Sequence, residues 1–234
     1  MEKEELKVVY EDNHIIVVIK PQNIPSQADS SADLDMLTMV KNYIKQKYNK
    51  PGNVYVGLVH RLDRPTGGLM VFAKTSKTAS RFSESMKNGE FSKKYLAVLV
   101  GTPKYKEDRL INYLKKDTKD NVVRVVPQLE ENAKYAELSY KVLDSNSKLS
   151  LAEVTLATGR SHQIRVQFST IGNPVFGDVK YGGDIVKGYN LALWAYKLCF
   201  EHPVSKQYMN FICYPPLEDT PWKYFKVDVL INKN

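Results

Sequence analysis

Two neighbouring segments, Ala136 to Leu143 (AELSYKVL) and Leu149 to Leu156 (LSLAEVTL), decide the fold class of this chain. Apolar side chains alternate or cluster in both of them, which is typical of β-strands with one buried face. The polar run between them, Asp144 to Lys148, has the composition of a turn. Two strands joined by so short a turn pair as an antiparallel hairpin.

Similar strand patterns lie on both sides of this hairpin. They are Leu110 to Leu114, Val122 to Val126, Tyr95 to Val100, Val8 to Tyr10, Ile15 to Ile19, Val54 to Val59, Leu69 to Ala73, Leu191 to Phe200 and Tyr208 to Cys213. Because most of these strands are joined as hairpins and outnumber the helices, the sequence predicts an α+β fold with a mixed, mainly antiparallel sheet and flanking helices.

Helical spacing of apolar residues is found in three segments. The first runs from Leu34 to Tyr48, and the second is predicted to have Ser76 as its N-cap and Gly89 as its stop. The third follows Ser161, and the residues that it is expected to turn to the core are Ile164, Phe168 and Ile171. A glycine-rich loop, Gly172 to Gly188, follows this third helix.

Length and composition predict one folded domain over residues 1–234. The chain is 43% hydrophobic and 26% charged, with no Pro/Ser/Gly linker and no internal repeat. Its two cysteines are too few for a disulfide framework or a four-cysteine zinc site, which favours a cytoplasmic protein. The charged N-terminus resembles no signal peptide, and no apolar run is long enough to span a bilayer.

The excess of basic residues favours a polyanionic partner. Lys and Arg number 34 against 26 Asp and Glu, a net charge of +8. The sequence has neither a G-x-G-x-x-G nor a P-loop motif, and its four histidines show no metal-ligand spacing. We therefore expect neither a nucleotide cofactor nor a metal.

Asp63 is the first candidate for chemistry, because it lies in a polar, glycine-containing turn between two apolar strands. Arg61 and Arg64 flank it, and nearby cations favour the ionised carboxylate. Asp63 is thus either a charged nucleophile or anchor, or one member of a structural ion pair. Arg61 is two residues away, and strand alternation makes it point the same way as Asp63 if the chain is still extended there.

Tyr95 and Arg165 are the second and third candidates. Tyr95 follows two lysines directly, and an aromatic ring beside cations is a common way to bind an unpaired base. Arg165 lies about one helical turn after His162, so both side chains are expected to face one site. The structural alternatives are a core tyrosine, a solvated arginine and a helix-capping histidine.

Segment His60 to Thr75 (HRLDRPTGGLMVFAKT) resembles the active-site motif H-R-L-D-x-x-T-S-G-L-x-x-x-A-K-T of the RluA-like pseudouridine synthases. Further blocks resemble that family in the same order. They are Lys93 to Ala97 (K-x-Y-x-A), Gly159 to Arg165 (G-R-x-H-Q-I-R), Gly172 to Asp178 (G-x-P-V-x-G-D) and Leu193 to Pro203 (L-H-A…F-x-H-P), with Val9 to Asp12 and Val18 to Pro21 near the N-terminus.

The resemblance implies an RNA isomerase that converts uridine to pseudouridine without a metal, nucleotide or redox cofactor. It implies that Asp63 is the catalytic carboxylate, acting at the sugar or initiating bond breakage, and that Tyr95 stacks on the extruded base. Arg165 would pair with the aspartate and Leu193 would pack beneath the ring. The residues expected to contact RNA are His60, Arg61, Arg64, Arg160, His162 and Gln163.

Three residues depart from the family pattern: Gly67 replaces a serine, and Gln167 and Trp194 replace histidines. None of them is a candidate for the chemistry, so the expected activity stands while the RNA target, rRNA or tRNA, stays open. The chain begins too late for the small N-terminal S4 module of some relatives, so target choice is expected to lie in the catalytic domain. A monomer is expected.

Two other classes of protein fit some of these features. A catalytically silent RNA-binding protein would keep the fold and the basic charge, but the intact Asp63, Tyr95 and Arg165 favour an enzyme. A metal-dependent hydrolase using His60 and Asp63 would lose activity with a chelator, whereas the isomerase would not.

Overall fold

The structure, a computed structural model, describes residues 5–29, 31, 33–182 and 188–232. The chain divides into two compact units. The first comprises the residues up to Ser92 with Ala195–Cys213, and the second comprises Lys93–Trp194 with the residues from Tyr214 on. The single domain over residues 1–234 stays a prediction.

The described residues form eleven strands and four helices, numbered here in chain order. The strands are Lys7–Glu11 (β1), Ile15–Lys20 (β2), Gly57–Leu58 (β3), Gly67–Ala73 (β4), Phe91–Val100 (β5), Glu107–Asp117 (β6), Val122–Val126 (β7), Lys134–Ser145 (β8), Leu149–Leu156 (β9), Leu193–Glu201 (β10) and Tyr208–Ile212 (β11). The helices are Met36–Lys47 (α1), Ser76–Lys87 (α2), Gln163–Thr170 (α3) and Val227–Asn232 (α4), and Trp222–Tyr224 forms a 3₁₀ turn. The predicted α+β class is confirmed.

In the first unit the strand order is β1-β2-β4-β10. β2 and β4 pair antiparallel from Ile15 opposite Ala73 to Lys20 opposite Gly68. Residues 15–18 and 67–73 are buried on both faces of the sheet, which explains their continuous apolar sequences. Phe91 and Phe200 stack in the core of this unit with ring centroids 5.3 Å apart.

Side-chain caps fix where α1 and α2 begin. Asp35 accepts a hydrogen bond from the Thr38 amide at 3.1 Å at the start of α1. At α2 the cap is Thr75, whose hydroxyl accepts from the Thr78 amide, so the prediction of Ser76 as N-cap is wrong by one residue. Serine and threonine are both favoured N-cap residues, and the extended backbone of Thr75 shows which of the two is the cap.

In the second unit the strand order is β5-β9-β8-β6-β7, and each neighbouring pair is antiparallel. The predicted hairpins β6–β7 and β8–β9 are confirmed. α3 covers one face of this sheet, where Val166 packs with Leu114, Val123 and Ala136.

Two predicted elements differ from the structure. The strand expected over Val54 to Val59 is only β3, because only its two residues find partners, Ala73 and Phe72 of β4. α3 is buried on all sides instead of having one core face, and Ile171, expected in the core, follows the last helical residue and is 40% exposed.

Part of the predicted loop 172–188, residues 183–187, lies outside the described residues. None of the described helices has both the length and the apolar character needed to cross a bilayer.

Candidate active site

Asp63 lies in an irregular segment of the first unit, residues 59–66, that leads from β3 into β4. Its side chain is half-buried, and its carbonyl oxygen accepts a hydrogen bond from the Thr66 amide at 2.9 Å. The preceding residue, Leu62, is buried and anchors the segment in the core. The Asp63 carboxylate is thus carried on a tight turn with a fixed backbone.

Residues 20–26 hold this turn through hydrogen bonds to its backbone. The Ser26 hydroxyl donates to the Leu62 carbonyl at 2.7 Å and accepts from the Leu62 amide at 3.0 Å. The Asn23 amide donates to the carbonyl of Arg64 at 2.8 Å. Main-chain positions on both sides of Asp63 are therefore restrained by a segment distant in sequence.

Lys20 is the fully buried member of this restraining segment. Its Nζ donates to the carbonyl oxygens of Pro21 at 2.9 Å, Arg64 at 2.9 Å and Thr66 at 2.8 Å. Burial lowers the pKa of Lys20 to about 7, although the negative charge of Asp63 acts in the opposite direction. The side chain thus places a basic nitrogen beneath the turn that carries Asp63.

His60, expected to contact RNA, is buried. Its Nε2 accepts a hydrogen bond from the Val71 amide at 3.2 Å, and its ring packs on Phe91 with centroids 5.7 Å apart. The structure gives this side chain a role in joining the turn to β4, and an RNA contact at His60 stays a prediction.

The two arginines beside Asp63 have different surroundings. Arg61 is exposed. Arg64 is exposed as well, but its guanidinium donates to the Asn23 carbonyl at 3.1 Å, to the Ser31 hydroxyl at 3.0 Å and to the Asp33 carboxylate. A phosphate would have to displace these partners from Arg64, whereas Arg61 presents its guanidinium to solvent.

Tyr95 belongs to the second unit, in β5, where it lies opposite Val154 of β9. Its side chain is 5% exposed, so the ring is packed among neighbouring groups and has little contact with solvent. Leu193, at the start of β10, is buried too. Their contact with an extruded base stays a prediction.

The residues before α3 are fixed by Gln163. Its Oε1 accepts from the Thr158 hydroxyl at 2.8 Å and the Arg160 amide at 3.0 Å, and its Nε2 donates to the Glu137 carbonyl at 3.0 Å. Gln163 is buried, so these bonds give it a structural role where an RNA contact is expected. Arg160 itself is exposed, and its Nε donates to the carbonyl of Tyr135 at 2.8 Å.

Arg165 is buried and forms a bidentate ion pair with Asp178. Nε and Nη2 each lie 2.7 Å from a carboxylate oxygen of Asp178. The same carboxylate accepts from the amides of Lys180 at 3.0 Å and Tyr181 at 3.1 Å. Within the second unit, Asp178 is therefore the carboxylate that pairs with Arg165.

Tyr181 brings Arg165 and His162 together. The guanidinium carbon of Arg165 lies 5.0 Å from the centre of the Tyr181 ring, and His162 Nδ1 lies 2.6 Å from the tyrosine hydroxyl. His162 and Arg165 therefore both contact Tyr181, and a functional site shared by the two side chains stays a prediction. His162 adopts the left-handed backbone conformation at the N-cap of α3, with φ 52°.

The loop that carries Asp178 also holds the β6–β7 hairpin. The Tyr181 hydroxyl accepts from the Val123 amide at 2.9 Å. Lys180 Nζ donates to the Asn121 carbonyl, at the turn of the hairpin, over 2.9 Å. Loop residues 178–181 thus connect the buried arginine with a surface hairpin.

Three important residues were not among those predicted from the sequence: Lys20, Asp178 and Tyr181. Lys20 and Asp178 stand inside blocks that resemble the family, and their place in those blocks is the signal that marks them. Tyr181 lies outside those blocks, and no sequence signal marks it.

Two of the departures from the family pattern fill the interior of the second unit. Gln167 is fully buried, and its Nε2 donates to the Leu110 carbonyl at 2.9 Å and to Asn112 Oδ1 at 2.8 Å, which joins α3 to β6. Trp194 is buried. In the first unit, Gly67 begins the buried strand β4.

The sequence of the chain matches the family described as RNA pseudouridylate synthase over residues 14–170. The match includes the Asp63 turn, Tyr95 and Arg165, and it covers more than half of the chain. The chain therefore belongs to this family.

Individual relatives carry names of the same kind. The chain is 31% identical over 87% of its length to "Uncharacterized RNA pseudouridine synthase YhcT" of Bacillus subtilis, and it covers 66% of that protein. It is 31% identical over 88% of its length to "Ribosomal large subunit pseudouridine synthase D" of Vibrio parahaemolyticus, of which it also covers 66%. It is 35% identical over 80% of its length to "tRNA pseudouridine(32) synthase, mitochondrial" of Saccharomyces cerevisiae, of which it covers 39%. The chain thus spans less than two thirds of these relatives.

Solved structures show the same fold. "Human RNA Pseudouridylate Synthase Domain Containing 1" aligns with 100% of this chain and 97% of its own, with a TM-score of 0.75. "Human RNA Pseudouridylate Synthase Domain Containing 4" aligns with 90% of this chain and 88% of its own, with a TM-score of 0.76. Both are 23% identical to this chain, so they support the fold alone.

Proposed function

We propose that this chain isomerises uridine to pseudouridine in RNA. The C1′–N1 glycosidic bond breaks, the uracil turns, and C5 bonds to C1′ while N1 gains the proton that C5 loses. The base is unreachable while it is stacked, so it must first be flipped out at a cost of a few kcal/mol. Phosphate contacts from a protein of net charge +8 help to offset that cost.

The observation that best supports this proposal is the restrained turn that carries Asp63. Ser26, Asn23 and Lys20 bind its backbone at Leu62, Arg64 and Thr66. A carboxylate held in this way needs little reorganisation when charge develops at the sugar. The turn lies within the part of the chain that matches the family.

Three residues carry the proposed reaction. Asp63 supplies the carboxylate, which acts at the ribose or initiates cleavage of the glycosidic bond. Tyr95 stacks on the extruded base, and Arg165 supplies a positive charge whose orientation is set by Asp178. Arg61, exposed beside the turn, either fills the space left by the base or binds a phosphate.

Replacement of Asp63 by Asn tests the catalytic assignment. The amide keeps the size of the side chain and removes its charge, so we expect no pseudouridine above background and nearly unchanged RNA affinity. Product is measured by nucleoside mass spectrometry of treated RNA, and affinity by fluorescence anisotropy. Asp108→Asn, an exposed carboxylate in β6, serves as the control and should keep full activity. Product from a pure Asp63→Asn protein would remove Asp63 from the reaction.

The class of RNA is tested by mapping. The names of the relatives include both ribosomal and transfer RNA enzymes, so both are proposed as substrates. Pseudouridines are mapped in total RNA from cells with and without this protein, and sites that disappear are expected in rRNA or tRNA. Identical maps would contradict the proposed function.

A further inference from the structure

Two lysines, Lys93 and Lys94, precede Tyr95, and β5 places them on opposite faces of the sheet. Strand β5 runs without interruption through all three residues, and side chains of a strand alternate between its faces. Lys93 therefore shares a face with Tyr95, and Lys94 lies on the other. Sequence proximity alone does not distinguish the two ammonium groups.

The face that Lys93 shares with Tyr95 is the one that α3 covers. Tyr95 lies opposite Val154, and Val154 lies opposite Tyr140, so the three side chains form one row on one face. Tyr140 packs on Phe168 of α3 with ring centroids 5.2 Å apart. The row thus leads from α3 to the tyrosine proposed to stack on the base.

The ammonium of Lys93 lies beside the loop that enters α3. A side-chain carbon built on Gly159 would be 3.7 Å from Lys93 Nζ, so the cation is adjacent to the backbone of the Gly159-Arg160 turn. Lys93 is half-buried, and desolvation lowers the pKa of its ammonium. A poorly solvated cation gains more from an anionic ligand than a solvated lysine does.

Lys94 lies on the opposite face of β5 from Lys93. There its Nζ forms an ion pair with the Glu153 carboxylate at 2.8 Å. Its charge is compensated within the protein, so it offers an RNA phosphate little. The neighbouring lysine is therefore a matched control for Lys93.

We propose that Lys93 binds the backbone phosphate of the nucleotide whose base stacks on Tyr95. This inference rests on the proposed function. Two residues of a strand span about 6.6 to 6.8 Å, a distance suited to a base at one residue and the phosphate across its ribose at the other. Tyr95 and Lys93 would thus hold the two ends of one nucleotide.

Salt-dependent binding tests this assignment. The probe is a fluorescein-labelled oligouridylate of about ten nucleotides, and its affinity is measured by anisotropy from about 0.05 to 0.2 M salt. Loss of one phosphate contact to a single strand should reduce the slope of log K against log salt by about 0.7, and affinity at about 0.1 M by about fivefold. We expect this change for Lys93→Gln, wild-type behaviour for Lys93→Arg, and no change of slope for Lys94→Gln.

A second measurement uses the wild-type protein and does not depend on the folding of a variant. Lysines are acetylated with a limiting amount of reagent, once with and once without saturating oligouridylate. Peptide mass spectrometry then measures the acetylated fraction of each lysine. Protection of Lys93 with unprotected Lys94 supports the assignment. Equal acetylation of Lys93 in both samples, or an equal loss of slope in the two glutamine variants, would overturn it.

Pseudouridine formation in total RNA by the wild-type protein separates this inference from the proposed function. If the wild type forms pseudouridine and Lys93→Gln keeps the wild-type salt slope, only the assignment of Lys93 is lost. If the wild type forms none, the proposed function fails and the assignment of Lys93 falls with it.

Discussion

The Arg165–Asp178 pair couples a buried guanidinium with a carboxylate through two hydrogen bonds of 2.7 Å. Transfer of two charges from water into a protein costs several kcal/mol per ion, and only good geometry with further hydrogen bonds offsets that cost. Asp178 has such bonds, because the Lys180 and Tyr181 amides also donate to it. The pair therefore sets the direction of the Arg165 side chain, which a solvated arginine would change freely.

Asp178→Asn should be strongly destabilising because it removes the negative charge that accepts two hydrogen bonds from the buried Arg165 guanidinium. We expect the free energy of unfolding to fall by about 3 to 5 kcal/mol, as measured by urea denaturation. Glu130→Gln breaks the exposed pair of Glu130 with Lys115 and should cost at most about 1 kcal/mol. Similar losses in the two variants would show that Arg165 is stabilised by groups other than Asp178.

Lys20 makes stability depend on pH through its lowered pKa. When the chain is folded it releases its proton at a pH of about 7, whereas an unfolded lysine keeps its proton to about 10.4. Between these values the unfolded state binds one more proton, so the free energy of unfolding rises with pH. Below pH 7 both states hold the proton, and the penalty for a buried charge is fully present.

This dependence is measured against Lys20→Met, which lacks the titrating group. Between about pH 7.5 and 9.5 the wild type should gain up to about 1.4 kcal/mol per pH unit relative to the variant. Urea midpoints over that range provide the measurement. A constant difference would mean that the three carbonyl acceptors keep Lys20 protonated throughout.

At the scale of elements, β4 depends on a glycine at its close approach to β10. Gly68 has φ +119°, and a side-chain carbon there would lie 2.3 Å from the Ala195 carbonyl oxygen. No shift of a flexible side chain relieves this contact, because the neighbouring atoms belong to the backbone.

Gly68→Ala should therefore lower the free energy of unfolding by about 3 kcal/mol or more, since it combines backbone strain with overpacking. Thermal and urea unfolding provide the measurement. Gly52→Ala is the control, because no atom lies within 4 Å of its new carbon, and it should change stability by at most about 0.5 kcal/mol. Equal stability of the two variants would contradict the close approach.

Elements with clear periodicity and clear turns could be predicted from the sequence, whereas elements that depend on distant partners could not. The runs Val122–Val126 and Leu149–Leu156 match β7 and β9 residue for residue. The run from Val54 to Val59 is also apolar and rich in β-branched residues, but only Gly57 and Leu58 pair with β4. The sequence predicts an amphipathic α3 because Arg165 and Gln167 are polar. In the structure both side chains are buried and form hydrogen bonds with Asp178 and with the Leu110 carbonyl, respectively.

For the whole molecule, the fold class could be predicted from the sequence and the residues proposed for the reaction could be selected from it, but the residues that support them could not. Asp63 and Arg165 are marked by motifs that are local in sequence. Lys20 is 44 residues from Arg64, whose carbonyl it binds, and Asp178 is 13 residues from Arg165, so both contacts exist only after folding. Gln163 also has a partner distant in sequence. The sequence predicts an RNA contact for this residue, whereas in the structure its side chain is buried and donates to the Glu137 carbonyl.

The attachment of loop 178–181 to the β6–β7 hairpin matters for recombination between relatives. The hairpin donates the Val123 amide to Tyr181 and accepts from Lys180 at Asn121, so its backbone is fitted to that loop. A hairpin transplanted alone from a relative would bring a turn that this loop does not match, and the mismatch would reach Arg165 through Asp178. The smallest segment that can be exchanged is therefore a pair, hairpin and loop together, although more than fifty residues of sequence separate them.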